Sequence, residues 1–296
     1  CNREIKFDIF LQTALSLGAD FIATGHYCIK SEEIINGKKI FRLLKGFDNK
    51  KDQSYFLCQL DQYQLEKVIF PIGQLRKNEV REIAKAEGLV TAEKKDSQGL
   101  CFIGKVKLPE FLQQKLISKS GDVIQIPAKF ENYDNYRFIS SKSDLNKDLA
   151  NPYEYKSSDG EKIGNHNGAY FYTIGQRKGL AIGGTKQPLF VIKTDVNRNI
   201  IYVGEGNNHP GLYRNALRVL KSEIHWIRED KKLMHGQSIN YMTRIRYRQP
   251  LTSAKLVQNE DFLYVFFENQ QLSITPGQFI AWYHKEELIG SGTIFE

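Results

Sequence analysis

The sequence predicts an α/β region followed by an all-β region, and three observations carry that prediction. At residues 5–27 a helix-like stretch leads into a short apolar run with a polar loop behind it. From residue 190 onward, short alternating runs recur with turn residues between them. The length, 296 residues, exceeds one ordinary core and suggests two or three domains.

Taken in order, Ile5 to Leu17 reads as a helix with Ile9, Phe10, Ala14 and Leu17 on one stripe and Gly18 placed to end it. Phe21-Ile22-Ala23-Thr24 then reads as a buried strand closed by Gly25-His26-Tyr27. Helix and buried strand make the αβ half of a doubly wound unit, whose ligands sit beyond the carboxyl ends of its strands. Thr24, Gly25 and His26 therefore lie where a ligand would be; for His26 a satisfied loop histidine is an equal reading. Lys50-Lys51-Asp52-Gln53-Ser54 is a polar cluster ahead of the apolar run Tyr55-Phe56-Leu57. Asp61 caps a helix from Gln62 to Ile69, which Pro71 closes. A second amphipathic helix runs from about Asn78 to Ala86, with Val80, Ile83 and Ala84 inward and Gly88 at its end. Cys28 and Cys58 read as structural thiols.

Glu110 to Leu116 reads as a short helix, and residues 127–160, rich in Asn, Asp, Ser, Lys and Tyr without a steady period, as an irregular insertion. Tyr170 to Gly179 reads as a strand followed by a basic loop; its glycine spacing fits neither a phosphate loop nor a dinucleotide fingerprint. Phe190-Val191-Ile192 and Ile200-Ile201-Tyr202-Val203 flank a turn and form a hairpin. From Ile239 to Arg248 the alternation is strict: Ile239, Tyr241, Thr243, Ile245 and Tyr247 share one face, and Asn240, Met242, Arg244, Arg246 and Arg248 the other. Further strands at 253–258, 262–267, 279–283 and 288–294 complete a small β-barrel. Three arginines on one strand face suggest a phosphate-binding ridge, with a solvated outer face as the plainer reading. The domains expected are 1–104, 105–208 with the insertion at about 127–160, and 209–296.

Lys and Arg exceed Asp and Glu to give a net charge of +8, which is compatible with a polyanionic partner. No apolar run approaches a membrane span and no signal-peptide pattern opens the sequence, so no membrane association is expected. Four cysteines without a C-x-x-C pair argue against a disulfide scaffold or a zinc knuckle and suggest a reducing, cytoplasmic setting. Of the four, Cys101 stands out, in Asp96-Ser97-Gln98-Gly99-Leu100-Cys101-Phe102-Ile103-Gly104. Turn residues before it suit an exposed thiol, whose thiolate the adjacent Lys94-Lys95 ammonium groups would favour. A small buried hydrophobe leading into Phe102-Ile103 is nonetheless the commoner role of an arbitrary cysteine. Cys1 is the other thiol in an unusual setting. The pair fits redox exchange, cysteine hydrolase chemistry with Cys1 as a processed nucleophile, or sulfur transfer through a persulfide. A non-catalytic basic RNA-binding module is the alternative to all three.

Several blocks carry a resemblance. Cys1-Asn2-Arg3-Glu4-Ile5-Lys6-Phe7, Ala23-Thr24-Gly25-His26-Tyr27, Lys51-Asp52-Gln53-Ser54-Tyr55-Phe56, Phe70-Pro71-Ile72-Gly73 and the Cys101 block resemble successive motifs of the tRNA-specific 2-thiouridylases. Thr173 to Leu180, Arg246-Tyr247-Arg248-Gln249 and Thr275-Pro276-Gly277-Gln278 follow in the same order. The resemblance implies a PP-loop ATPase-type doubly wound domain, a small central domain and a C-terminal barrel. It implies ATP, with Mg as its counter-ion, adenylating the C2 oxygen of the wobble uridine of tRNA before sulfur replaces it. Cys101 would carry the persulfide, loaded by a sulfur-donor relay protein, and Cys1 would attack it to form a transient disulfide. Gly25 would contact ATP; His26, Lys51, Asp52, Gln53, Arg246, Tyr247 and Gln278 would contact tRNA. The family's Ser-Gly-Gly-x-Asp-Ser loop for the ATP pyrophosphate does not occur in these 296 residues. The sequence therefore reads as an N-terminally truncated member, expected to be inactive alone.

Overall fold

A computed structural model describes residues 1–94, 104, 111, 114–142 and 145–295. Cys101 and residues 110, 112 and 113 of the expected 110–116 helix lie outside the described residues, and residues 114–116 form a turn and bend.

Asn2–Ile9 is wound as a wide π-type helix and passes into α1 (Phe10–Ser16). The buried residues are Phe7 and Leu11, with Ala14 and Leu15 packed beside them, while Ile9, Phe10 and Leu17 are exposed. The expected stripe is thus out of phase, because i→i+5 winding takes more residues per turn than the period used to place it. Gly18 ends the helix at φ +91°, as expected. β1 (Ile22–Ala23) follows, and β2 (Cys28–Ile35) and β3 (Lys38–Lys45) form an antiparallel hairpin that the alternation analysis missed. α2 (Gln62–Glu66) starts on a capping box at Asp61. It stops short of Ile69 because Val68 and Ile69 form β4 (Val68–Ile69), paired in parallel with β1 through Ile22 and Ala23. α3 (Lys77–Ala86) occupies the expected range, yet of the three residues expected inward Val80 and Ala84 are only half-buried and Ile83 is exposed.

The middle of the chain builds a four-stranded sheet. β5 (Gly121–Gln125) is followed by α4 (Glu131–Lys142), β6 (Glu161–His166), β7 (Leu189–Asp195) and β8 (Ile200–Glu205), in the order β6-β5-β8-β7. The β7–β8 hairpin is the one expected. Residues 127–160 are not irregular throughout: Tyr133 and Tyr136 of α4 pack with Tyr153 and Tyr155, which lie between two short 3-10 turns. Tyrosine rings supply that core, so no aliphatic period announces it. Residues 169–171 form a 3-10 turn rather than the expected strand.

The barrel comprises β9 (Tyr213–Trp226), β10 (Ser238–Arg244), β11 (Thr252–Gln258), β12 (Phe262–Leu272), β13 (Phe279–His284) and β14 (Glu287–Phe295). The ladder runs β13-β10-β11-β12-β9-β14, and β13–β14 pairing closes it into six strands. The hairpin extends this sheet: β3 pairs with β14 at Leu43↔Leu288 and Leu44↔Glu287. A buried ion network reinforces the seam. Arg228 holds Glu287 at 2.5 Å and Asp230 at 2.7 Å, and Arg42 of β3 reaches Glu287 at 2.9 Å. One core runs across it, with Phe7, Leu11, Leu43 and Leu65 packed with Ile227, Ala281, Tyr283 and Leu288.

Candidate functional site

Cys1 accepts the backbone N–H bonds of Ile5 and Lys6 on its carbonyl, at 2.9 and 3.0 Å, and so opens the first helical stretch. Its side chain is exposed and lines a cleft of about 410 Å³ with Asn2, Arg3, Tyr55, Phe56 and Phe279. Asn2 donates to the Phe56 carbonyl at 3.0 Å, and the Phe56 ring lies 4.3 Å from that of Tyr247. The cleft at Cys1 thereby adjoins the barrel's Arg246-Tyr247 turn. Cys58, in the wall of the same cleft, is buried, and burial pushes its thiol up to about 12. Cys28 is buried with its thiol also pushed up. Both behave as the structural thiols expected.

Gly25 follows the carboxyl end of β1, is exposed, and has open space where a side chain would be. His26 is buried between Phe7 and Phe70, with Nδ1 3.0 Å from the Thr24 hydroxyl. Burial, helped by the charge of Lys6, lowers its pKa from 6.5 to about 4. A neutral imidazole offers a hydrogen bond but no charge for a phosphate. Gln53 exchanges two bonds with Tyr27, its side-chain oxygen accepting from Tyr27 N at 3.0 Å and its N–H donating to Tyr27 O at 3.0 Å. This fixes the 51–53 loop against the loop that carries His26.

Asp52 is the keystone of that loop. One carboxylate oxygen accepts from the N–H groups of Gly46 (3.2 Å) and Ser54 (3.0 Å), and the other pairs with Arg244 Nη2 at 2.5 Å. Both partners are buried. Arg244 also lies over the Tyr283 ring at 4.8 Å and donates to the Tyr247 carbonyl at 3.1 Å. The Lys51 carbonyl in turn lies 3.5 Å from the Tyr247 hydroxyl. A single buried cation thus ties Lys51-Asp52-Gln53 to Arg246-Tyr247.

The exposed arginine ridge is overturned by this arrangement. β10 ends at Arg244, so alternation stops there and the three guanidinium groups diverge. Arg244 is internal; Arg246 is half-buried and donates to the carbonyls of Ile174 and Ser273 and to Thr275 Oγ1; only Arg248 is exposed. Arg246 thereby clamps the 173–179 loop onto the turn leading to Gln278. Gly175 (φ +85°) permits that contact, because a Cβ there would meet Ser273 Oγ at 2.4 Å. Gly73 is required in the same way, since its Cβ would meet the Cys28 carbonyl at 1.8 Å.

Sequence reasoning missed the positioning roles of Arg244, Phe56 and Tyr55, whose hydroxyl donates to the Phe279 carbonyl at 2.8 Å with the Ile245 carbonyl 3.1 Å away. A lone acid within a basic cluster was the available signal for a cationic partner elsewhere. Among the described residues, no group of three or more acids, histidines or cysteines is placed to hold a metal, and no helix is long and apolar enough to cross a membrane.

The comparisons with known proteins agree block by block. Residues 1–105 match a family described as the tRNA methyl transferase HUP domain, 152–205 one described as the tRNA methyl transferase PRC-barrel domain, and 217–294 one described as the aminomethyltransferase beta-barrel domain. Proteins named tRNA-specific 2-thiouridylase in Christiangramia forsetii and Flavobacterium johnsoniae are each 56% identical to it, over 99% of this chain and 75% of theirs. The Bacillus subtilis protein of that name is 41% identical over 99% of this chain and 69% of its own. With an α/β unit, a central sheet and a closed barrel in the matched order, the chain belongs to the tRNA-specific 2-thiouridylase family.

Proposed function

We propose that this protein replaces the C2 oxygen of a tRNA wobble uridine by sulfur, using ATP to adenylate that oxygen. The observation that supports this best is the chain of contacts that links the Cys1 cleft, the 51–53 loop, the loop carrying His26 and Tyr247, segments far apart in sequence. Gly25 is the ATP contact in this reading, with Mg accompanying the phosphates. The 51–53 loop, His26, Arg246, Tyr247 and Gln278 form or support the tRNA contact. Because His26 is neutral, it serves a base or ribose rather than a phosphate.

In the chemistry proposed, a sulfur-donor protein loads Cys101 as a persulfide. The Cys1 thiolate attacks the Cys101 sulfur, forming the disulfide and expelling hydrosulfide. Hydrosulfide adds to C2 of the activated uridine and AMP leaves; a thiol reductant then restores both cysteines. Cys1 on an exposed cleft is accessible for this, whereas the buried Cys28 and Cys58 are not.

Replacing Cys101→Ser should abolish 2-thiouridine formation and leave tRNA affinity within about twofold, since a hydroxyl cannot carry sulfane sulfur. Mass spectrometry of tRNA nucleosides reads the first and filter binding the second. Thiolation by the variant would overturn the role of Cys101. A wild-type protein that binds tRNA but never thiolates it would favour the RNA-binding module instead.

A further inference from the structure

Between the middle sheet and the barrel lies a cleft of about 780 Å³, with Tyr153, Thr194 and Arg214 in its lining and the segment Ser273–Gln278 along one wall. Arg214, on β9, is only 7% exposed. Its Nη1 donates to the Ala150 carbonyl at 3.1 Å. Among the described residues no carboxylate pairs with it; Tyr136, Tyr153, Tyr155 and Arg218 lie near it, and Gln271 is its cross-strand neighbour. The two carboxylates in the cleft lining are already engaged. Glu154 pairs with Lys193 at 2.5 Å, and Asp195 accepts from the Arg198 N–H at 2.9 Å and faces its guanidinium at 3.8 Å. On the barrel wall, the buried Ser273 hydroxyl has no hydrogen-bond partner.

A guanidinium removed from water without a counter-ion is costly, and the cost is offset when an anion joins it. Arginine suits a phosphate because its planar fork donates two parallel bonds to one phosphoryl group. The cleft is continuous with the tRNA-facing surface, since Gln278 lines it and Arg246 clamps the adjoining Ser273 and Thr275. We propose that this cleft binds a backbone phosphate of tRNA, with Arg214 as its charge partner. The inference rests on the tRNA reading above. It adds a contact remote from the cysteine cleft, to an element that no motif marked.

The test is tRNA binding by wild type, Arg214→Met and Thr194→Glu across a salt series, each checked for folding by circular dichroism. Thr194 is half-buried in the cleft lining, so Thr194→Glu brings a carboxylate into the cleft without removing Arg214; Thr194→Gln controls for size. We expect both charge-altering variants to lose about tenfold in affinity and Arg214→Met to lower the salt slope by roughly one, with Thr194→Gln close to wild type. Should Arg214→Met fail to fold, Thr194→Glu against Thr194→Gln decides. Folded variants with wild-type affinity and slope would overturn the cleft while leaving the tRNA reading intact. A wild type that does not bind tRNA would overturn both. Parallel titration with inorganic phosphate separates the sources: variants impaired only for free phosphate would show that the cleft takes a small phosphoanion, against the proposal.

Discussion

Asp52 and Arg244, 192 residues apart, meet as a buried ion pair. In the sequence one is a loop acid among lysines and the other a member of an alternating face; neither pattern contains the pairing, which is a property of the closed barrel and the loop packed on it. Breaking it from one side leaves a buried charge with backbone donors alone. Arg244→Met should therefore cost roughly 3–5 kcal/mol in urea denaturation. The double variant Asp52→Asn with Arg244→Met should recover part of that loss, and a double variant at the additive sum would show that the pair is uncoupled. His26 supplies a second expectation. Its folded pKa of about 4 lies below the ordinary 6.5, so protonation favours the unfolded chain. The stabilisation is complete above pH 6.5 and is lost as pH falls towards 4, by up to about 3 kcal/mol. Comparing His26→Gln with wild type across that window isolates the effect; parallel stability curves would refute it. The buried thiols Cys28 and Cys58 were legible because each lies beside apolar neighbours, which is a local property.

Elements were legible where one face is dry and the other wet. Barrel strands β11 to β14 and the β7–β8 hairpin fall where alternation put them, and Tyr241, Thr243 and Ile245 share a buried side, but β9, the long strand Tyr213–Trp226, was not expected at all. β10 was over-extended because alternation in residue type continued past Arg244, where the backbone turns. The β2–β3 hairpin was legible in principle: Asn36-Gly37, both at positive φ, is a strong two-residue hairpin signal. Its strands carry mixed lysines and glutamates instead of a clean apolar face, so the alternation template passed over them. Helix α1 shows the opposite failure, with correct existence and the wrong face, because the π winding before it resets the phase.

At the scale of the whole molecule, residues from Phe7 to Phe70 and the barrel share a core, and the hairpin is stitched to β14 by Arg228, Arg42 and Glu287. The two should melt together. Leu43→Ala, at a fully buried hairpin position, should cost about 2–5 kcal/mol. Both tryptophans, Trp226 and Trp282, lie in the barrel, so their fluorescence reports its unfolding. The variant's fluorescence transition should shift together with its circular-dichroism transition; a barrel signal that stays at the wild-type midpoint would show independent units. The continuity was invisible beforehand because motif order divides the chain into successive blocks, whereas the sheet joins its two ends.

That joining has a consequence for how the protein is made. β3 leaves the ribosome well before its neighbour β14, which follows it by most of the length of this sequence, so Leu43 waits for Leu288. At typical elongation rates the wait is on the order of tens of seconds. Throughout it the hairpin presents an unpaired strand edge, and Phe7, Leu11 and Leu65 lack the barrel residues that complete their core. The nascent chain must be kept from pairing with other chains until β14 arrives. The charges spread along β2 and β3, Lys30, Glu32, Glu33, Lys38, Lys39 and Arg42, make that waiting edge a poor template for aggregation.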